Sequence, residues 1–162
     1  HGLERLVILN GHSGNYPLID QSIREIKRET GVMIPCLNLW RLMTPKEWSE
    51  FHPKRGASAL GHGGDPMTSV YLHLYPELVR TDLIGEAKRK EVLGLPTAGL
   101  NAVKFKGSDV NIALDIDEIC DNGIAGGFPA ESSAEIGEKI VNFIVDYCAE
   151  FVAYFKTVDT SV

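Results

Sequence analysis

The chain has 162 residues, 44% of them apolar and 23% charged, and a formal net charge of −6. That is the size and composition of one globular domain with a sizeable core. Acids and bases are interspersed with an acidic balance, which argues against nucleic acid and anionic membrane as partners. No apolar run approaches the length of a membrane span, and no secretory signal is visible. Cys36, Cys120 and Cys148 are odd in number and widely spaced. They form neither a disulfide framework nor a CxxC metal knuckle, so a reducing, cytoplasmic setting is expected.

The chain opens on His1-Gly2-Leu3 and enters an interior-type strand within a few residues. A parallel strand of that kind needs neighbours, so a preceding segment, or another polypeptide, is expected. Leu6-Val7-Ile8-Leu9 reads as that buried strand, and it delivers Asn10, Gly11, His12, Ser13, Gly14 and Asn15 at its C-terminal end. Ligands in open α/β sheets sit outside the carboxyl ends of strands. The glycines permit close backbone approach, and His12 offers an imidazole to a metal or a proton. The bland alternative is a strand-to-helix turn with an exposed histidine.

A helix is expected from about Tyr16 to Glu29, with Leu18, Ile19, Ile23 and Ile26 on one face and Thr30-Gly31 as its stop. A second buried strand covers Val32 to Trp40, and Pro35 suggests an edge position or a bulge. The strand–helix–strand order makes a parallel βαβ unit. Thr44-Pro45-Lys46-Glu47 reads as a helix start, and Phe51 to Pro66 as loop, with His52 solvated. Thr68 to Tyr75 is a short apolar helix stopped by Pro76, capped by Thr68 or Ser69; His73 is structural. Residues 80 to 108 read as a surface excursion, Val110 to Leu114 as a strand or loop edge, and Gly123 to Ser133 as a loop. A long helix runs from Ala134 to about Lys156, with Cys148 in its core face. No linker or repeat interrupts residues 1–162, so a single domain, or part of one, is expected.

Gly61-His62-Gly63-Gly64-Asp65-Pro66-Met67-Thr68-Ser69 is the second place for chemistry. His62 can act as general acid or base, and Asp65 can orient it or bind a metal. Amides at the following helix start favour an anion or a developing negative charge. A glycine-rich turn with a solvated His62 is the competing reading.

Taken together, these segments resemble the C-terminal part of the creatininase family. Residues Arg5 to Asn15 are similar to that family's strand followed by Asn-Gly-His-Gly-Gly-Asn. Gly61-His62-Gly63-Gly64 with Met67-Thr68-Ser69 resembles its His-Ala/Gly-Gly-x-x-Glu-Thr-Ser motif. Tyr71 to Val79 and Gly123 to Glu138 continue the likeness over nearly the whole chain.

The resemblance implies an α/β fold of three layers, α/β/α, with a mostly parallel sheet. It implies a metal-dependent hydrolase of amide-type C–N bonds in small, often cyclic, compounds. A homo-oligomer, often a hexamer, goes with it. His12 matches the metal-binding histidine, and His62 the histidine of the catalytic centre, with Asp65 a candidate for a missing carboxylate. Trp40 lies where creatininase carries a tryptophan near its substrate, with strand-end packing as its alternative. Amides around Gly63, Gly64 and Thr68 are candidate substrate and oxyanion contacts.

The chain also departs from the family's pattern. The family's first metal motif, Glu-x-His-Gly followed by Asp, belongs upstream of residue 1. Gly14 stands where creatininase has a metal-binding glutamate, and Met67 where the second motif has Glu. A catalytic divalent metal wants about three protein ligands, so Zn, Mn or Fe here needs ligands from a preceding or separate N-terminal chain. A non-catalytic or complementing subunit is therefore the rival to the hydrolase, and a metal-independent anion-binding module the more distant one.

Overall fold

The computed structural model describes residues 5–160, which fall into two compact units. One takes in the chain up to Thr44 and from Val141 onward; the other is Pro45–Ile140.

The first unit holds a parallel strand pair, β1 (Ile8–Asn10) and β2 (Cys36–Asn38), joined through helix α1 (Tyr16–Thr30). The expected βαβ unit is present, with Asn10 directly opposite Asn38. Pro17 in the first turn suits the start of α1, because its absent N–H is one the helix leaves unpaired. Gly31, at φ +76°, ends it, and its amide bonds the Lys27 carbonyl. That is the left-handed cap a glycine adopts without a Cβ penalty. Burial differs from expectation. Asn10, not the apolar residues, is the buried member of β1, while Leu9 is 52% and Leu18 73% exposed. Pro35 precedes β2 instead of interrupting it, and its carbonyl accepts a bond from the Ile8 amide.

The second unit begins with α2 (Pro45–Phe51), starting at the expected proline, followed by α3 (Met67–Leu74). Neither Thr68 nor Ser69 caps α3. Asp65 does so from just outside, its Oδ1 accepting the Ser69 amide, because the Thr68 hydroxyl is turned back to the Gly63 carbonyl.

Residues 91–111, which take in most of the expected surface excursion and the start of the expected strand or loop edge at Val110, form an antiparallel meander. Its strands are β3 (Glu91–Val92), β4 (Leu95–Ala98), β5 (Ala102–Phe105) and β6 (Ser108–Asn111). Two-residue turns at Leu93-Gly94 and Lys106-Gly107 have positive φ at both positions, the geometry that matches strand twist in tight hairpins. The strands are too short for alternation to announce them, and Leu-Gly and Lys-Gly are weak turn signatures. The α/β class holds, but four of the six strands among the described residues are antiparallel, so the sheet content is not mostly parallel.

Arg89 ties the meander to the following loop, its guanidinium donating to the carbonyls of Ala125 and Gly99 and to Thr97 Oγ1. A short helix, α4 (Ile116–Ile119), carries a reciprocal capping box between Asp115 and Glu118. It delivers Ile119 and Cys120 to a small core with Ala125.

Helix α5 (Ala134–Phe155) starts in the second unit and continues into the first. Its buried residues, Ile140, Ile144, Cys148 and Phe155, keep helical spacing. Burial pushes the Cys148 thiol up, in keeping with core packing. Gly137 is where α5 meets α3: a Cβ there would fall 1.9 Å from the Ser69 carbonyl oxygen and 2.9 Å from His73 Cβ.

Alanine in a helix interior normally gains about 1 kcal/mol over glycine. At Gly137 overpacking of about 1–3 kcal/mol outweighs that gain. Gly137→Ala is therefore expected to lower the denaturant midpoint, and an unchanged or raised midpoint would contradict the α3–α5 contact.

Candidate functional site

In the first unit the carboxyl ends of β1 and β2 are joined by side chains. Asn10 Nδ2 donates to Asn38 Oδ1 at 2.7 Å, while Asn10 Oδ1 accepts the His12 amide at 3.2 Å. The buried asparagine is thus satisfied on both ends and fixes the backbone that presents His12. Trp40 sits in the turn after β2, and its indole Nε1 donates to the Gly11 carbonyl at 2.6 Å. The structure thus shows Trp40 bonded to the turn that carries His12. His12 itself is exposed. Its ring lies over Gly14, where a Cβ would come within 2.7 Å of His12 Cε1. Any side chain at position 14 would displace the imidazole.

A cavity of about 490 Å³ also lies in this unit, lined by Ile23, Lys27, Met33, Phe151 and Phe155 among others. Neither His12 nor Trp40 lines it.

In the second unit the two glycine-rich segments seen in the sequence lie against each other. A Cβ on Gly61 would sit 2.1 Å from the Gly126 carbonyl carbon, and one on Gly127 2.6 Å from the Ala59 oxygen. Only glycines permit this approach. The Ala125 amide bonds the His62 carbonyl at 2.9 Å, and His62 Nδ1 lies 2.7 Å from the Gly123 carbonyl oxygen. A carbonyl only accepts, so Nδ1 donates, and in the neutral ring Nε2 carries the lone pair. His62 is exposed, so that nitrogen is accessible to a proton or an ion.

The expected oxyanion contacts are reduced. The Gly64 amide is bonded to the Gly61 carbonyl and the Thr68 amide to the Gly64 carbonyl. Both amides are consumed by the tight turn and the first turn of α3, so two of the three candidate donors are occupied. Gly63 is exposed at φ +82°.

Asp65 is not an accessible acid. It is 1% exposed, and its carboxylate bonds His52 Nε2 at 2.6 Å, Ser69 Oγ at 2.7 Å, the Ser69 amide at 3.0 Å and Ser132 Oγ at 2.5 Å. His52, expected in solvent, is 5% exposed and stacks on Trp48 at 6.0 Å between centroids. It was missed because a histidine before a proline in a polar stretch carries no burial signal. Its one hint is the i, i+4 spacing from Trp48 at the end of α2.

The described residues contain no group of three His, Cys, Asp or Glu side chains able to hold a metal ion. His12 is alone over Gly14, and Asp65 is bonded elsewhere, so these residues do not by themselves fit a divalent metal.

A family model for creatininase, creatinine amidohydrolase, matches residues 1–152. The chain belongs to the creatininase family. Among solved structures it is similar to a tryptophan-to-phenylalanine mutant creatininase of type II, with 27% identity and a TM-score of 0.62. That match covers 94% of this chain and 56% of the other. A glutamate-to-glutamine mutant creatininase complexed with creatine aligns with 24% identity and a TM-score of 0.60, over 94% of this chain and 57% of that one. A Zn-Zn type of such a mutant aligns with 24% identity and a TM-score of 0.57, over 94% and 56%. These likenesses establish a creatininase-like fold, and the chain spans just over half the length of the creatininases it matches. No curated protein matches it.

The 123–133 segment is braced from outside by Arg55, which pairs with Glu131 at 2.5 Å and lies 3.7 Å over the Phe128 ring centroid. Hydrogen bonding to that guanidinium holds the Glu131 carboxyl below its ordinary range. The contribution is therefore present above the unfolded carboxyl's value and lost as pH falls through the lower folded one. Both partners are largely solvated, so salt screens it. Glu131→Gln is expected to flatten the acid side of the stability profile in low salt and change little in high salt. Urea midpoints between pH 7 and pH 3 check this, and identical profiles would show the pair contributes nothing.

Proposed function

We propose that this chain carries the proton-transfer part of a creatininase-type hydrolase that opens an amide-type C–N bond in a small cyclic compound. The observation that supports it most is the tautomer of His62, held by the Gly123 carbonyl with Nε2 accessible. Water adds through its oxygen to the carbonyl carbon while one of its protons passes to Nε2. The same proton then goes to the leaving nitrogen as the C–N bond breaks, so His62 is regenerated and one water is consumed. Gly63 is the candidate contact left to the substrate from the second motif, and Trp40 supports the His12 turn beside its proposed substrate role. Asp65 acts in this reading as scaffold. A relative solved with creatine supports a small-molecule substrate.

A divalent metal, Zn, Mn or Fe, belongs to the same proposal, with His12 as one ligand. The described donor set is incomplete and the chain covers 56% of its relatives, so the remaining ligands are assigned to a further segment or a separate chain. A bound ion would supply Lewis-acid polarisation. The same observations favour a second reading, a complementing subunit that is active only with such a partner. A homo-oligomer is part of the proposal, supported by apolar side chains left exposed in the first unit, such as Leu9 and Leu18. Free thiols at Cys36, Cys120 and Cys148 support a cytoplasmic setting, and no described helix is long and apolar enough to cross a membrane.

His62→Ala is expected to lower hydrolysis of a cyclic amide panel by roughly 10²–10⁴-fold with unchanged circular dichroism. Full activity in that variant would overturn the proton-transfer role. In the complete protein, with the segment or chain that supplies the remaining ligands, His12→Ala is expected to lose bound Zn or Mn, read by elemental analysis; undiminished metal content there would remove His12 from the ligand set.

A further inference from the structure

We infer that the buried cluster His52–Asp65–Ser69–Ser132 positions His62 for the reaction proposed above without touching it. The inference rests on that reading of His62 and adds residues to it.

Three of the four members are almost inaccessible: Ser69 0%, Asp65 1% and His52 5% exposed. Their bonds run between segments. Asp65 takes one from His52 at the end of α2, two from Ser69 in α3 and one from Ser132. Ser69 Oγ, having donated to Asp65, accepts the Ser133 amide at 3.0 Å. The Asp65 backbone carbonyl accepts the Gly61 amide at 3.0 Å.

The two segments held in this way are the ones that define His62. Residues 61–66 carry its ring, and residues 123–133 carry the Gly123 carbonyl that sets its tautomer. They are held together at three places, one of them the Ala125 amide on the His62 carbonyl at 2.9 Å. Glycine-to-glycine packing at Gly61 and Gly126 holds one end. At the other, Asp65 bonds Ser132 and Ser69 bonds Ser133. The glycine packing is backbone against backbone and non-directional, and the single Ala125–His62 bond beside it leaves the segments free to pivot. The carboxylate adds direction, because each of its bonds needs a particular angle and length. A shift of even 1 Å in the Gly123 carbonyl would break the 2.7 Å contact to Nδ1, and His62 would then sample both tautomers. A misplacement of that size at a reacting group costs up to about 10²-fold in rate. Ser132 and His52 are thus positioning residues, acting through Asp65.

The test uses the nitrogen shifts of His62 in ¹⁵N-histidine-labelled full chain, measured above the pH of ring titration, for wild type, Ser132→Ala, His52→Gln and Asp65→Asn. Wild type is expected to show a protonated Nδ1 and a bare Nε2. Ser132→Ala, which removes one bond of the four, is expected to shift the ring toward a mixture and to lower kcat about tenfold with KM within about twofold. If Asp65→Asn fails to fold, Ser132→Ala decides the matter. A lower melting temperature with His62 shifts identical to wild type would mean the cluster is structural only, and would overturn the inference. Failure of the underlying reading looks different. His62→Ala would then keep its activity, whereas a tautomer shift in Ser132→Ala would still establish the coupling.

Discussion

A carboxylate taken out of water must have its lone pairs satisfied, and Asp65 is satisfied by four donors from three stretches of chain. Leaving such a group unpaired costs several kcal/mol, of the order of 3–5 when one partner of a buried pair is removed. That penalty gives the second unit its cohesion around α3. The end of α2, the turn before α3 and the segment after the Gly123 loop cannot move apart without leaving the buried Asp65 side chain short of its partners. Apolar residues of similar volume could hold these pieces together, but not with fixed angles.

The same logic appears in the first unit with neutral groups. Asn10 is buried at the end of a parallel strand, where an apolar residue would have left the His12 amide without its acceptor. Paired to Asn38, it converts strand register into the position of a histidine. Trp40 adds a bond to the next carbonyl along. In both units an exposed histidine is thus presented by a buried polar arrangement, and the glycines beside it clear the space. Gly14 lies beneath the His12 ring and Gly61 against the facing backbone. The chemistry is accessible while its supports are not, as a preorganised site requires.

Much of this was legible in the residues. Tyr16 to Thr30 declared itself as a helix by periodicity and by Gly31, and α5 by its long apolar stripe. His12 and His62 stood out because glycines crowd them, and the combination of motifs pointed to the creatininase family before any geometry was known. The meander of β3 to β6 was not legible, since strands of two to four residues are shorter than the window in which alternation can be recognised. Nor was His52. Polar residues in a polar stretch look solvated until a partner far along the chain is seen to face them, and Asp65 lies 13 residues on, Ser132 another 67 beyond that. The same distance hid the role of Asp65, whose neighbours in sequence suggested an accessible acid.

What the sequence by itself determined is therefore local and chemical: helix limits, the βαβ start, the two histidines and the family. Those follow from nearest-neighbour forces, capping, side-chain period and the steric freedom of glycine. What only the tertiary structure decided is which polar groups are buried and with whom. It turned Asp65 from a candidate acid into a buried hub, moved His52 from solvent to core, and used the Gly64 and Thr68 amides within the turn. The physical reason is that burial and hydrogen-bond pairing depend on contacts between residues distant in sequence, and a single chain read in order carries no direct record of them.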